Sequence, residues 1–188
     1  MTHEPPREHT NPARRRAESV VVVNTGDGKG KSSSAFGVVL RSVARNWRVA
    51  VVQFVKSGNW RVGEEKVCRE RLGVDWWTLG EGFTWDSHDL SEDEAVARAA
   101  WAHARDVIAA GAHRLVVLDE ITYPINWGWI DGEDVVDAIR SRPAKVNVVC
   151  TGRDAPAALV DVADTVTDMR NVKHAYDSGV LAIKGIDY

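Results

Sequence analysis

The sequence predicts an α/β fold, a mostly parallel sheet with helices on both faces. Three observations carry that prediction. Short β-branched apolar runs recur along the chain, helical stretches separate them, and a glycine-rich loop joins the first run to the first helix. Runs that read as continuously apolar belong to strands covered on both sides, the condition of a parallel sheet under crossover helices. A chain of 188 residues is long enough to bury one substantial core. Residues 19–188 therefore read as a single domain behind a flexible N-terminal tail, residues 1–18.

Each element has its own signal. Val20–Val23 is a buried strand, and "KSSSAFGVVLRSVARN", opening at Lys31, is the helix that follows the glycine loop. Arg48–Val55 and Val74–Leu79 are the second and third strands. Ser91 with Glu94 three residues later has the spacing of a capping box, which opens a long helix through Trp101 and Ile108. Gly111 closes it. Arg114–Glu120 is a strand ending in two carboxylates, Asp131–Arg140 a helix stopped before Pro143, and "KVNVVCT" the next strand. "DTVTDM" and "VLAIK" are weaker, edge-strand candidates. In parallel sheets ligands bind beyond the carboxyl ends of the strands. The glycine loop, Asp119–Glu120 and Thr151–Arg153 all follow strand ends, so they converge on one rim.

Composition narrows the function classes. A formal charge of −3 and a pI near 6.1 give no general attraction for nucleic acid or anionic lipid. No apolar run approaches the roughly 18 residues of a membrane span. The N-terminal stretch, "MTHEPPREHTNPARRRAES", holds three of the six prolines and lacks the apolar stretch of a secretory signal. Arg14, Arg15 and Arg16 read as a solvated charge run. Cys68 and Cys150 lack C-x-x-C spacing and sit in apolar surroundings, as reduced, buried thiols of a cytoplasmic protein do.

The stretch "NTGDGKGKSSSAFG" departs from the strict phosphate-loop pattern, because Gly26 comes one place late and Thr25 stands where the first glycine is usual. The physical requirements are nonetheless present. Gly26, Gly28 and Gly30 permit close approach and positive φ angles. Backbone N–H groups at a helix start then form an anion site. Lys31 supplies charge to phosphate oxygens, Lys29 adds a second cation, and the Ser32 hydroxyl is placed to bind Mg²⁺. Asp119 and Glu120 close an apolar strand in the manner of metal-binding carboxylates, which suits a hard ion such as Mg²⁺. In an ATPase Glu120 would also polarise water, and the residues alone leave both roles open.

Several motifs, taken in order, resemble one family. "NTGDGKGKSSSAFG", "VVQFVKSG", "GFTW", "VVLDEITY", "TGR" and "MRNVKHAYDSGVLAIKGIDY" are similar to the P-loop type of ATP:corrinoid adenosyltransferases, from about residue 19 to Tyr188. That family's loop reads T-G-x-G-K-G-K-[ST], so Thr25 is regular in it. Departures are Asp27 where Asn is common, Ser32–Ser33 for Thr–Thr, and Met169 and Asn171. The resemblance implies a P-loop NTPase-like, RecA-like sheet. It also implies transfer of the 5′-deoxyadenosyl group of ATP to the cobalt(I) of a reduced corrinoid, with release of triphosphate.

Cobalt(I) is itself the nucleophile in that reaction, so no catalytic Ser, Cys or His is called for. The protein's tasks are alignment of cobalt with ribose C5′ and stabilisation of the charge growing on triphosphate. The resemblance implies ATP contacts from Thr25, Gly26, Asp27, Gly28, Lys29, Gly30, Lys31, Ser32, Ser33 and Arg153. ATP would lie in reverse of the usual sense, exposing C5′. It implies Mg²⁺ held by Ser32, Asp119 and Glu120, and a corrin face covered by Phe83 and Trp85, which would displace the lower cobalt ligand. His174 reads instead as a structural histidine contacting backbone. The implied partners are an electron-donating, flavin-dependent reductase and a second copy of the chain in a homodimer. Two rivals share part of the signal: an ATP-hydrolysing or phosphoryl-transferring enzyme, and a non-catalytic nucleotide or corrinoid module.

Overall fold

The computed structural model describes residues 16–55, 63–78 and 90–187. Six strands form one parallel sheet in the order β3-β2-β4-β5-β1-β6. The strands are β1 (Val21–Thr25), β2 (Val49–Gln53), β3 (Asp75–Thr78), β4 (Leu115–Asp119), β5 (Asn147–Thr151) and β6 (Thr165–Asp168). The helices are α1 (Lys31–Val43), α2 (Gly63–Leu72), α3 (Leu90–Ala110), α4 (Thr122–Asn126), α5 (Gly132–Arg140) and α6 (Ala157–Val162). A 3-10 turn spans Ala175–Ser178.

The period-2 alternation of strand side chains divides the core into two layers. Val49, Val51, Leu115, Val117 and Val149 face α1 and α2, where they meet Val39, Phe36 and Cys68. Ala50, Val52, Val116, Leu118 and Cys150 face the opposite side, against Ala104, Ile108, Ile139 and Leu159 of α3, α5 and α6. The α/β class and the parallel sheet with helices on both faces are as expected. Cys68 and Cys150 are free and buried, also as expected.

Three helices were not anticipated, and each has a weak local signal. Helix α2 buries only Cys68, so it shows little apolar periodicity. Helices α4 and α6 have five and six residues, too short to display one. Helix α3 begins at Leu90, one residue before the capping-box serine. "DTVTDM" supplies β6, an edge strand on β1. "VLAIK" forms no strand: residues 180–184 are irregular, and Leu181 and Ile183 are exposed. Among the described residues no helix is long and apolar enough to cross a membrane.

Candidate active site

The sheet order sets β4, β5 and β1 side by side, so their C-terminal residues Asp119, Thr151 and Thr25 share one rim. The glycine loop turns out of β1 and enters α1 through Gly30, whose φ of 111° is a left-handed value. Gly26 has φ 94°. The loop is held from the far side by β6. Met169 N–H donates to the Thr25 carbonyl at 2.8 Å, and Gly28 N–H donates to the Met169 carbonyl at 2.6 Å. A Cβ on Gly28 would lie 2.8 Å from the Arg170 and Met169 backbone, so this close approach requires glycine. Gly28 thus spends its amide within the protein rather than presenting it to a ligand.

Lys31, the first residue of α1, is buried and donates from Nζ to the Gly28 carbonyl at 2.7 Å. Burial lowers its pKa, while the nearby charges of Glu120 and Asp27 raise it and that of Arg153 lowers it. Four charged groups therefore surround one point at the loop. Arg153 and Asp27 are exposed there, and Ser33 faces outward from the first turn of α1. Thr25 is occupied structurally, its Oγ1 accepting the Ala155 N–H at 3.1 Å. Lys29 pairs with Asp187 of the C-terminal segment. A depression of about 480 Å³ opens beside the loop, lined by Gly26, Asp27, Asp154, Asp168 and Arg170 among others.

The two carboxylates differ sharply. Asp119 is buried, and both its oxygens have partners: Thr151 Oγ1 donates to Oδ1 at 2.7 Å and Gln53 Nε2 to Oδ2 at 2.9 Å. Burial pushes its pKa up, against the pull of hydrogen bonds from Thr151, Gln53 and Ser32. Glu120 has a left-handed φ of 62°, unusual outside glycine. Its Oε2 is buried without a partner. Burial, and then Asp119, raise its pKa to about 7, while Lys31, Arg153 and a Ser32 hydrogen bond pull it down. Ser32 thus stands between the two carboxyl groups.

The structure gathers Lys31, Ser32, Asp119, Glu120 and Arg153 at the loop, as the sequence led one to expect. Phe83 and Trp85 lie outside the described residues. His174 acts on backbone as expected, its Nδ1 accepting the Tyr176 N–H at 3.0 Å to start the 3-10 turn. Sequence reasoning assigned no site role to Gln53, Thr151 or Tyr123. The first two had a readable signal, each being the polar residue that ends a buried apolar run. Tyr123 follows in α4, and its phenol is pushed up by burial and then by the charge of Glu120.

Residues 17–188 match the family ATP:corrinoid adenosyltransferase BtuR/CobO/CobP. A corrinoid adenosyltransferase of Pseudomonas aeruginosa is 43% identical over 175 residues, covering 93% of this chain and 86% of that one. A corrinoid adenosyltransferase of Escherichia coli K12 is 41% identical over 169 residues, covering 90% of this chain and 85% of the relative. The corrinoid adenosyltransferase CobA of Salmonella typhimurium has the same identity and coverage. With the glycine loop, Lys31 and the acidic end of β4 on one rim and the match running through almost the whole chain, the protein belongs to the ATP:corrinoid adenosyltransferase family.

Proposed function

We infer that this protein transfers the 5′-deoxyadenosyl group of ATP to the cobalt(I) of a reduced corrinoid, in the making or salvage of adenosylcobalamin. The observation that carries the reading is a glycine loop with a buried Lys31 near the Glu120 charge, in a chain that matches this family over residues 17–188. The cobalt electron pair forms the Co–C5′ bond, the C5′–O bond breaks, and its pair leaves with triphosphate. The corrinoid brings its own nucleophile, so no side chain need act as nucleophile or base. The residues instead align C5′ and balance the charge that gathers on the leaving oxygens.

Lys31 and the start of α1 are the fixed part of that balance. Lys29 joins them when it exchanges Asp187 for phosphate. Arg153, exposed beside Lys31, is the proposed nucleotide contact, and Phe83 and Trp85 the proposed cover of the corrin face. Ser32 and Glu120 fit Mg²⁺: a hydroxyl and a buried carboxylate oxygen without a partner are hard donors. Among the described residues no group of three or more His, Cys, Asp or Glu side chains is placed to hold an ion alone. The remaining ligands would then be phosphate oxygens and water, as is usual for Mg²⁺. When bound, the ion offsets charge on the departing triphosphate.

Anaerobic incubation with ATP, Mg²⁺ and chemically reduced corrinoid tests the reading. A light-sensitive alkylcobalt product with triphosphate is expected, and ADP with phosphate would overturn it. The same reading sets the enzyme in the cytoplasm, supplied with cobalt(I) by a flavin-dependent reductase. It also makes the enzyme a homodimer, in keeping with the exposed Val172, Leu181 and Ile186. Full activity from a species that sediments only as a monomer would remove the dimer, and turnover from cobalt(II) without any added electron donor would remove the reductase.

A further inference from the structure

Strand β4 lies between β2 and β5, and its acidic end is gripped from both neighbours. Gln53 ends β2 in register with Asp119, and Thr151 ends β5 one step beyond the Leu118–Cys150 pair. All three side chains are buried. The Thr151 hydroxyl is used twice. It donates to Asp119 Oδ1 at 2.7 Å and accepts from the Glu120 backbone N–H at 2.9 Å. It therefore joins the carboxylate of one residue to the backbone of the next, where the chain takes its left-handed turn of φ 62°. Such a turn at a non-glycine residue persists only when its surroundings hold it.

We propose that Thr151 is a positioning residue of the phosphate site, its hydroxyl setting the turn that aims the Glu120 carboxylate at Ser32 and the glycine loop. Asp119 then serves as the anchor of that hydroxyl rather than as a direct ligand, since both its oxygens are already engaged by protein donors. Glu120 keeps the buried oxygen without a partner and is the carboxylate that meets the ion. The proposal rests on the reading of Ser32 and Glu120 as the Mg²⁺ side of the site.

Thr151→Val keeps the side-chain shape and removes both hydrogen bonds. Thr151→Ser restores the hydroxyl. Calorimetric titration of ATP is run with Mg²⁺ and with chelator, beside an activity assay across Mg²⁺ concentrations. For Thr151→Val the Mg²⁺ concentration giving half-maximal binding should rise about tenfold, the size usual for groups that orient a metal ligand. ATP binding in chelator should stay within about twofold of the parent, and kcat at saturating Mg²⁺ within about threefold, limits set by that orienting role. Thr151→Ser should return all three values to the parent's. An unchanged Mg²⁺ requirement in folded Thr151→Val, equal losses with and without metal, or failure of Thr151→Ser to restore them would each overturn the proposal. If Thr151→Val does not fold, Thr151→Ala is read against Thr151→Ser in the same way; if neither folds, the hydroxyl is a stability element and the proposal fails. A parent protein that binds ATP equally with and without Mg²⁺ would instead remove the metal reading itself.

Discussion

The acidic end of β4 and the segment beyond β6 both meet the glycine loop, yet they are built in opposite ways. Around Asp119 the side chains of Gln53 and Thr151 are withdrawn from water with it, and both reach it across a strand boundary. In the C-terminal segment Val172 is 92% exposed, Leu181 79% and Ile186 81%. Past the Met169 backbone bonds, its side-chain tie to the loop is the surface pair between Lys29 and Asp187. Buried polar groups must be satisfied together and so hold one geometry. Apolar groups left in water hold none, and gain their burial only on contact with something else. The loop end of the candidate site is therefore held by the sheet, while the C-terminal segment carries apolar surface that only a further contact would bury.

Perturbing the built end should have the largest effect. Lys31→Ala removes the buried ammonium that holds the Gly28 carbonyl, and turnover should fall by about 10²–10³-fold, the size seen when one preorganised donor is lost. Circular dichroism should remain that of the parent. Near-normal turnover would take the loop out of the mechanism. Next comes Gly26→Ala. Its Cβ would press on the Asp168 carboxylate and lie 2.5 Å from the Met169 carbonyl, at a φ of 94°. A loss of about 2–4 kcal/mol in urea unfolding is expected. A loss under about 0.5 kcal/mol, the range of ordinary surface changes, would show that the loop tolerates movement away from β6.

Glu120→Gln sharpens the contrast through pH. The carboxyl pKa is raised from 4.5 to about 7, so the folded protein keeps a proton that the unfolded chain has released. Stability from this group is full below pH 4.5 and declines as pH rises to about 7, the reverse of a salt-bridged carboxylate. Without nucleotide or metal, Glu120→Gln should be more stable than the parent at pH 8 by about 2 kcal/mol. At pH 4.5 the two should be nearly equal. Thermal melts at the two pH values check this, and equal differences at both would mean that the carboxylate is solvated. The smallest effect belongs to the other end. Val172→Ser with Leu181→Ser should change stability by less than about 0.5 kcal/mol in the monomer, because neither side chain is buried. A larger loss would show that the segment is packed after all.

The same contrast explains what could be read in the sequence. The central strands were legible because burial on both faces leaves an unbroken apolar run, as in Val49–Val52 or Leu115–Leu118. The glycine loop and the acidic end were legible because their residue types are demanded by local chemistry. Helix α2 was not, since a helix that buries only Cys68 leaves no stripe. "VLAIK" has the short apolar run of a strand but joins no sheet among the described residues, and an apolar run cannot supply a neighbour. Lys29 was legible as a cation of the loop, but its pairing with Asp187, 158 residues away, was not. The double role of Thr151 depends likewise on β5 lying against β4, which spacing along the chain does not reveal.

The pairing of β1 with β6 has a consequence for the order in which this protein can mature. The first strand to leave the ribosome is completed by one that begins at Thr165, and the Gly28 amide waits for the Met169 carbonyl. A nascent chain that has emerged only through Val162 can pair β2, β4, β5 and β1 but lacks the Met169 backbone that holds Gly28. Nucleotide should therefore fail to crosslink to chains stalled there and begin to do so once Arg170 is exposed. Crosslinking at the shorter length would show that the loop closes unaided. The Gly28 side of the loop is thus left open throughout most of translation, and an interrupted chain would be released without it closed.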